Sequence, residues 1–318
     1  MTPLPSVASN HTIHFTEAPH PREERGIASS PHKYIAAAMI VAALAAGIFT
    51  LYLPVAIALI SISTWLLWSG IIILANRAAH GKSFEKPIHK LHAIAMEFNS
   101  GVVAAGLFPF THFPIYHRPK GTLAGRPILL VNGYLSFGST WQYIRSELAK
   151  KGLGPIYTMN IGSGKSIETY ATDVQKKVKE IQKQTGRNDL VLIGHSKGGL
   201  VSSFFAVEHA RGIGCEVTDI ITIGSPLAGT PVAYIGMGRD AQEMRVDSEF
   251  HKKLRCQISN LKSTRFFHIA SQADDIVPHT SALIGRVASH QLLLKDTGHL
   301  SLVFSSRIAD QIGHWLKG

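Results

Sequence analysis

At 318 residues the chain has room for one large α/β domain with an appendage, and its two cysteines, Cys215 and Cys256, supply neither a disulfide framework nor a CxxC or His-paired metal pattern. A formal net charge of +11 sits on a sequence that is 45% hydrophobic, a share that points to a membrane segment. The lysines and arginines are scattered among acids without an aromatic-interleaved basic stripe, which argues against nucleic acid and for anionic lipid surfaces.

Residues 1–33 carry five prolines, four histidines and mixed charge without apolar periodicity, and read as a disordered tail. Across 34–76 there is no charged residue. One crossing needs about 20 apolar residues, so this run is long enough for two, and Pro54 divides it into 34–53 and 54–74. Its length and late start do not suit a cleaved signal peptide. The expectation is a hydrophobic helical hairpin that anchors the chain in a membrane. The divider Leu51-Tyr52-Leu53-Pro54 is poor in polar groups, and Trp65 and Trp68 fall mid-segment. A monotopic hairpin in one leaflet and a buried helix pair are therefore the alternatives. Arg22, Arg25 and Lys33 precede the run, while Arg77, Lys82, Lys86 and Lys90 follow it. Basic flanks around an even number of crossings place both ends on the cytoplasmic side of an inner membrane.

The connector over 77–120 opens with an amphipathic helix at 85–99, whose apolar face carries Ile88, Leu91, Ile94, Ala95 and Phe98. The stretch 102–110 is apolar again, and Pro109 and Pro114 end it. This connector either lies on the bilayer or packs on the domain that follows.

From Arg126 strands and helices alternate, as a parallel sheet with crossover helices requires. Strands are expected at 127–131, 155–159, 189–193, 219–223, 265–270 and 291–294. Helices are expected at 140–151, 167–184, 200–211 and 302–316. The sizeable insertion, at about 229–261, is short for a lid and suits a modest cap. Gly162-Ser163-Gly164-Lys165-Ser166 ends like a phosphate-binding loop, but Met159 stands where that pattern needs glycine, so it reads as a glycine loop on the rim of a cleft.

Between the strand at 189–193 and the helix after it lies Gly194-His195-Ser196-Lys197-Gly198. A serine in so tight a strand-to-helix turn needs small neighbours, and the helix behind it aims free amides and a positive dipole end at any oxyanion formed there. The spacing identifies Ser196 as a candidate nucleophile. A serine hydroxyl needs a base, and the base needs an orienting acid. Ala273-Asp274-Asp275-Ile276-Val277-Pro278 follows the strand 265–270, and Thr297-Gly298-His299-Leu300 follows the last strand. These offer Asp274 or Asp275 as acid and His299 as base. His268 sits within a strand, and His279 and His290 lack the terminal turn.

With Val131-Asn132-Gly133 and Ile223-Gly224-Ser225-Pro226-Leu227-Ala228-Gly229-Thr230, these motifs resemble the bacterial lipase and esterase branch of the α/β-hydrolases. The likeness runs from about residue 126 to the end and touches none of the first hundred residues. It implies an α/β-hydrolase fold over 121–318, a mostly parallel sheet flanked by helices. It also implies Ser196 as nucleophile, Asp274 as acid with Asp275 as fallback, and His299 as base. The oxyanion hole would use the backbone amides of Lys197 and Tyr134. Asn132 stands where the family has histidine, which leaves loop geometry and substrate preference open. The expected activity is a membrane-associated serine hydrolase that cleaves carboxylic esters of acyl lipids through an acyl-enzyme, with no cofactor and no metal. An acyltransferase using the same residues and a catalytically silent membrane-anchored scaffold are the alternatives.

Overall fold

A computed structural model describes residues 39–40, 87–107, 119–283 and 290–318, with side chains from residue 92 onward in the first long helix. The chain divides into two compact units, Met1–Ile62 and Ser63–Gly318, and every element below belongs to the second. The tail over 1–33 and the hydrophobic run over 34–76, apart from Met39 and Ile40, lie outside the described residues. Among the described residues no helix is long and apolar enough to cross a membrane.

In chain order the elements are α1 (Pro87–Leu107), β1 (Ile128–Val131), α2 (Gln142–Lys150), β2 (Ile156–Met159), α3 (Ile167–Thr185), β3 (Asp189–His195), α4 (Lys197–Glu208), β4 (Glu216–Ile223), α5 (Arg239–Glu243), α6 (Glu249–Ile258), β5 (Arg265–Ser271), α7 (His279–Ala282), β6 (His290–Leu294) and α8 (Ser306–Lys317). The six strands form one sheet in the order β2-β1-β3-β4-β5-β6, and every neighbouring pair is parallel.

Successive side chains of a strand point to opposite faces, and here both faces are covered by helices, so the strands read as continuous apolar runs. Leu129, Val131, Leu192 and Ile220 enter one core layer with Val174 and Val178 of α3 and Phe205 of α4. Ile128, Leu130, Ile193, Ile221 and Ile269 enter the other with Ile144 and Leu148 of α2 and Ile308 and Ile312 of α8. Ser166 caps the start of α3 by accepting from the Thr169 amide at 3.1 Å. The chain begins mid-sheet at β1, steps outward to β2, then returns past β1 to β3. That reversal sets the C-terminal ends of β1 and β3 side by side, where open α/β sheets place their ligands.

Three helices differ from the sequence reading, the closing one in that α8 begins at Ser306, after a 3-10 turn at Leu300–Phe304, instead of at residue 302. α4 begins at Lys197 instead of residue 200, because Lys197 through Ala206 are all buried and packing on every side outweighs the weak helix propensity of Gly198 and Gly199. The connector helix is one 21-residue element, α1, and its buried side chains among the described residues are small. Ala93, Ser100 and Ala104 are buried, Ile94 and Phe98 are half-buried, and Ala95, Val102 and Val103 are exposed. The side chains of Ile88 and Leu91 lie outside the described residues. Small side chains let α1 lie close against a 3-10 turn at Leu300–Phe304, where Glu97 finds three hydrogen-bond donors. The insertion over 229–261 holds a 3-10 turn at Pro231–Tyr234 with α5 and α6.

Candidate active site

Ser196 sits between β3 and α4 with φ 53° and ψ −126°, a backbone state that a residue with a side chain seldom adopts. The turn is held by close packing. A Cβ on Gly194 would strike the Gly199 amide, and one on Gly198 would strike the Val131 carbonyl. The serine is buried at the end of the strand with its side chain on the wall of a cavity.

His299 follows β6, and its Nδ1 lies 2.7 Å from Asp274 Oδ2. The other carboxylate oxygen, Oδ1, accepts from the amides of Ile276 at 2.9 Å and Val277 at 2.8 Å. Those two amides fix which of the neighbouring acids turns inward: Asp274 meets the imidazole. Burial disfavours the charged form of His299, but the charge and hydrogen bond of Asp274, with a contribution from Glu97, outweigh it and hold the imidazole above its ordinary 6.5. Behind it the His195 ring lies 4.7 Å from the His299 ring, centroid to centroid, and its Nε2 is 3.0 Å from the His299 carbonyl. Burial first, and then the neighbouring His299, push His195 down to about 3, so it is neutral and donates to that carbonyl.

Asn132, at the end of β1, is fully buried and clamps two loops together. Its Nδ2 donates to the carbonyls of Ser136 at 2.6 Å and Ile161 at 3.1 Å, and its Oδ1 accepts from the Ile161 amide at 2.7 Å. Three planar amide contacts aimed at one backbone account for asparagine at this position. Tyr134 lies just beyond, and its hydroxyl donates to the Met237 carbonyl at 2.7 Å and accepts from the Met237 amide at 3.1 Å, tying the β1 loop to the cap.

The Lys197 side chain does not reach solvent. Its Nζ lies 2.8 Å from Asp240 Oδ2 with both side chains fully buried, donates to the Gly162 carbonyl, and rests 4.1 Å from the Tyr170 ring centroid. Asp240 also accepts from the Gly164 amide at 3.0 Å, and Glu243 accepts from the Ile167 amide at 2.7 Å. The glycine loop at 162–164 is thus the seam between the elbow and α5.

Ser196, His195, His299, Tyr134 and Glu97 line one cavity of about 380 Å3 whose remaining wall is largely apolar, including Val232, Ala233, Met244, Ile276 and Val277. Leu135, Tyr234, Ile235 and Met237 are exposed around it. The structure therefore brings Ser196, Asp274 and His299 to one place, with Asp274 the acid bonded to the imidazole. Among the described residues no group of three His, Cys, Asp or Glu is gathered for a metal ion. The sequence reading missed Glu97, the lysine–aspartate pair and the role of His195. A lone acid on a helix face otherwise alanine and serine, 93-97-100-104, was the available signal for the first.

A family model described as "PGAP1-like alpha/beta domain" matches residues 157–304. A proline iminopeptidase of Clostridioides difficile is 29% identical over 117 residues, covering 34% of this chain, and the chain spans only 39% of that relative. Among solved structures, the mature form of a Bacillus licheniformis lipase superposes with a TM-score of 0.53 at 19% identity, over 62% of this chain and 93% of that one. Aspergillus fumigatus lipase B gives a TM-score of 0.52 at 16% identity, over 62% and 54% of the two chains. At these identities the likeness establishes the fold, which is that of the α/β hydrolases.

Proposed function

We propose that this chain, which has the α/β-hydrolase fold and resembles a PGAP1-like domain over 157–304, is a membrane-associated serine hydrolase acting on carboxylic esters of acyl lipids. The observation that carries the proposal is the meeting of a serine at a strained turn with a carboxylate-held histidine on the wall of an apolar cavity. The cavity is large enough for part of an acyl chain, and its polar groups are few and convergent.

In this reading Asp274 holds the proton of His299 on Nδ1, which leaves Nε2 as the base. Nε2 takes the proton of Ser196 Oγ as that oxygen attacks the ester carbonyl. The tetrahedral oxyanion is met by the Lys197 and Tyr134 amides and by the positive end of α4. His299 then gives its proton to the departing alcohol oxygen, leaving an acyl-enzyme on Ser196. Water repeats the sequence, releases the acid and restores the serine. The two carbonyl-directed hydrogen bonds of Asn132 keep the Tyr134 loop in place for this step.

Support for the lipid comes from the apolar wall and from the exposed apolar residues around it, Leu135, Tyr234, Ile235 and Met237. The run over 34–76 would hold the enzyme at a membrane, and its basic flanks would keep the hydrolase on the cytoplasmic side. A fluorophosphonate probe should label the wild-type chain and not Ser196→Ala, and p-nitrophenyl esters of increasing chain length should be hydrolysed with a preference for acyl chains over acetate. Labelling of Ser196→Ala at the wild-type rate would overturn the assignment. Protease added to sealed right-side-out vesicles should spare the catalytic domain until detergent is added, and carbonate should fail to extract the chain.

A further inference from the structure

Glu97 is the one acidic residue on the inward face of α1, and it reaches across to the loop that carries His299. Its Oε1 accepts from the Leu300 amide at 2.7 Å, and its Oε2 accepts from the Ser301 amide at 3.0 Å and the Ser301 hydroxyl at 2.9 Å. All three partners are donors, so the ionised carboxylate satisfies them without a proton of its own. The approach is close: a Cβ on Gly298 would strike Oε2. Among the described residues no salt bridge joins this carboxylate to an arginine or lysine. It sits on the wall of the cavity with His299 and Ser196.

We propose that Glu97 is a positioning residue that fixes the backbone on the C-terminal side of His299 and sets a second negative charge beside the imidazole, so that α1 is part of the active site. The proposal rests on the hydrolase reading above. Among the described residues three charged or titratable groups face His299: Asp274 from the loop after β5, His195 from the end of β3, and Glu97 from α1. His195 is neutral, so the two carboxylates set the field at the imidazole. The rest of the loop is tied separately, by His92 against the Asp296 carbonyl and by Arg307 to the Asp296 carboxylate. Those groups bind the stem of the loop, whereas Glu97 grips the two residues directly after His299. Burial pushes the Glu97 carboxyl above its ordinary value, against the pull of the Leu300 amide, His299 and Ser301. A carboxylate kept in a costly place next to a histidine is a familiar arrangement where that histidine must hold a proton in passing.

The test compares the wild-type chain with Glu97→Gln, Glu97→Asp and Ser100→Ala in detergent micelles. Ser100 Oγ bonds Ser301 Oγ at 3.3 Å, so its loss loosens the same contact without removing charge. The His299 imidazole is titrated by NMR on ring-labelled protein, assigned with His299→Ala, and the acid limb of kcat/KM is followed on a p-nitrophenyl ester. Glu97→Gln should lower the His299 pKa by about half a unit or more and move the kinetic limb with it. It should also lower kcat about tenfold with little change in KM. Glu97→Asp should keep most of the pKa, and Ser100→Ala should leave it in place. An unchanged His299 pKa in Glu97→Gln, or an equal shift in Ser100→Ala, would overturn the proposal. Should Glu97→Gln fail to fold, the Glu97→Asp and Ser100→Ala titrations decide between charge and scaffold. The NMR arm reads the imidazole whether or not the chain hydrolyses esters, and fluorophosphonate labelling judges the hydrolase reading by itself.

Discussion

Lys197 Nζ and Asp240 Oδ2 lie 2.8 Å apart with neither side chain exposed, joining the residue after the nucleophile to the first α-helix of the cap. The ammonium is held by Asp240, the Gly162 carbonyl and the faces of Tyr170 and Tyr134. Burial pulls its pKa down, and the carboxylate opposes that pull. A buried pair of this kind stabilises little over an apolar pair of the same size, but removing one partner leaves a charge stranded.

Asp240→Ala should therefore cost about 3 kcal/mol or more, while Lys197→Met with Asp240→Leu should cost clearly less. Thermal unfolding of the two singles and the double gives the coupling. The Asp240 single should also lose turnover, because the Lys197 amide moves with its side chain. Equal destabilisation by the double and by the sum of the singles would mean that the pair does not act as a unit.

Asp274→Asn should lower kcat about a thousandfold or more, since an asparagine does not hold the Nδ1 proton or stabilise the imidazolium. Asp275→Asn should stay close to wild type in kcat. The acid limb of wild-type kcat/KM should lie above pH 6.5, because the base must be neutral and its pKa is raised. Stability runs the other way. A histidine whose folded pKa is raised contributes fully below its unfolded pKa and loses that contribution as pH climbs through the folded value. Activity and this part of the stability should thus trade places over the same window.

Asn132→Ala removes the hydrogen bonds to Gly133, Ser136 and Ile161, three of them buried, and should cost about 1–3 kcal/mol. Because the loop holds Tyr134, kcat should fall more than KM rises. Paired measurements of Tm and steady-state kinetics check both halves, and a variant with wild-type kcat would detach Asn132 from the loop's role.

Three histidines in the described fold are buried and neutral: His195 pushed down to about 3, and His251 and His268 pushed down to about 4, each chiefly by burial. In the unfolded chain they take up protons near pH 6.5, and in the folded chain they do not. Stability should fall as pH drops below 6.5, by about 1.4 kcal/mol per pH unit for each histidine, until the folded values are reached. His268 bonds Thr222 across β4 and β5 at 2.7 Å, so His268→Gln keeps a partner within reach and should flatten the decline of Tm between pH 6 and 4.5. An unchanged slope would assign the acid sensitivity to other groups.

Much of this was legible from the chain because its signals were local. Strands β1 through β6 announce themselves as short apolar runs between glycine and proline turns, and the observed ends differ by a few residues at most. The elbow at Ser196 carries its own explanation in Gly194 and Gly198, whose missing side chains make room for backbone. What was not legible depends on partners far along the sequence. Lys197 looks like a surface lysine until Asp240 arrives beside it, 43 residues on. The choice between Asp274 and Asp275 is made by the amides of Ile276 and Val277, a matter of turn geometry that composition does not record. On α1 the grip on the catalytic loop runs through a serine and a glutamate, which an apolar stripe does not announce, while Ile94 and Phe98 of that stripe are half-buried.

The grip of Glu97 on Leu300 and Ser301 also orders events in time. Its partners lie 203 and 204 residues further along the chain. Contacts of such separation close late, because the loop entropy must be overcome before they return any stabilisation. A chain emerging from the ribosome makes α1 before the six strands and the 300–301 turn after them. The grip of α1 on the catalytic loop therefore waits for a segment made after the whole sheet, and the His299 loop is held from the helix side only once that segment is in place.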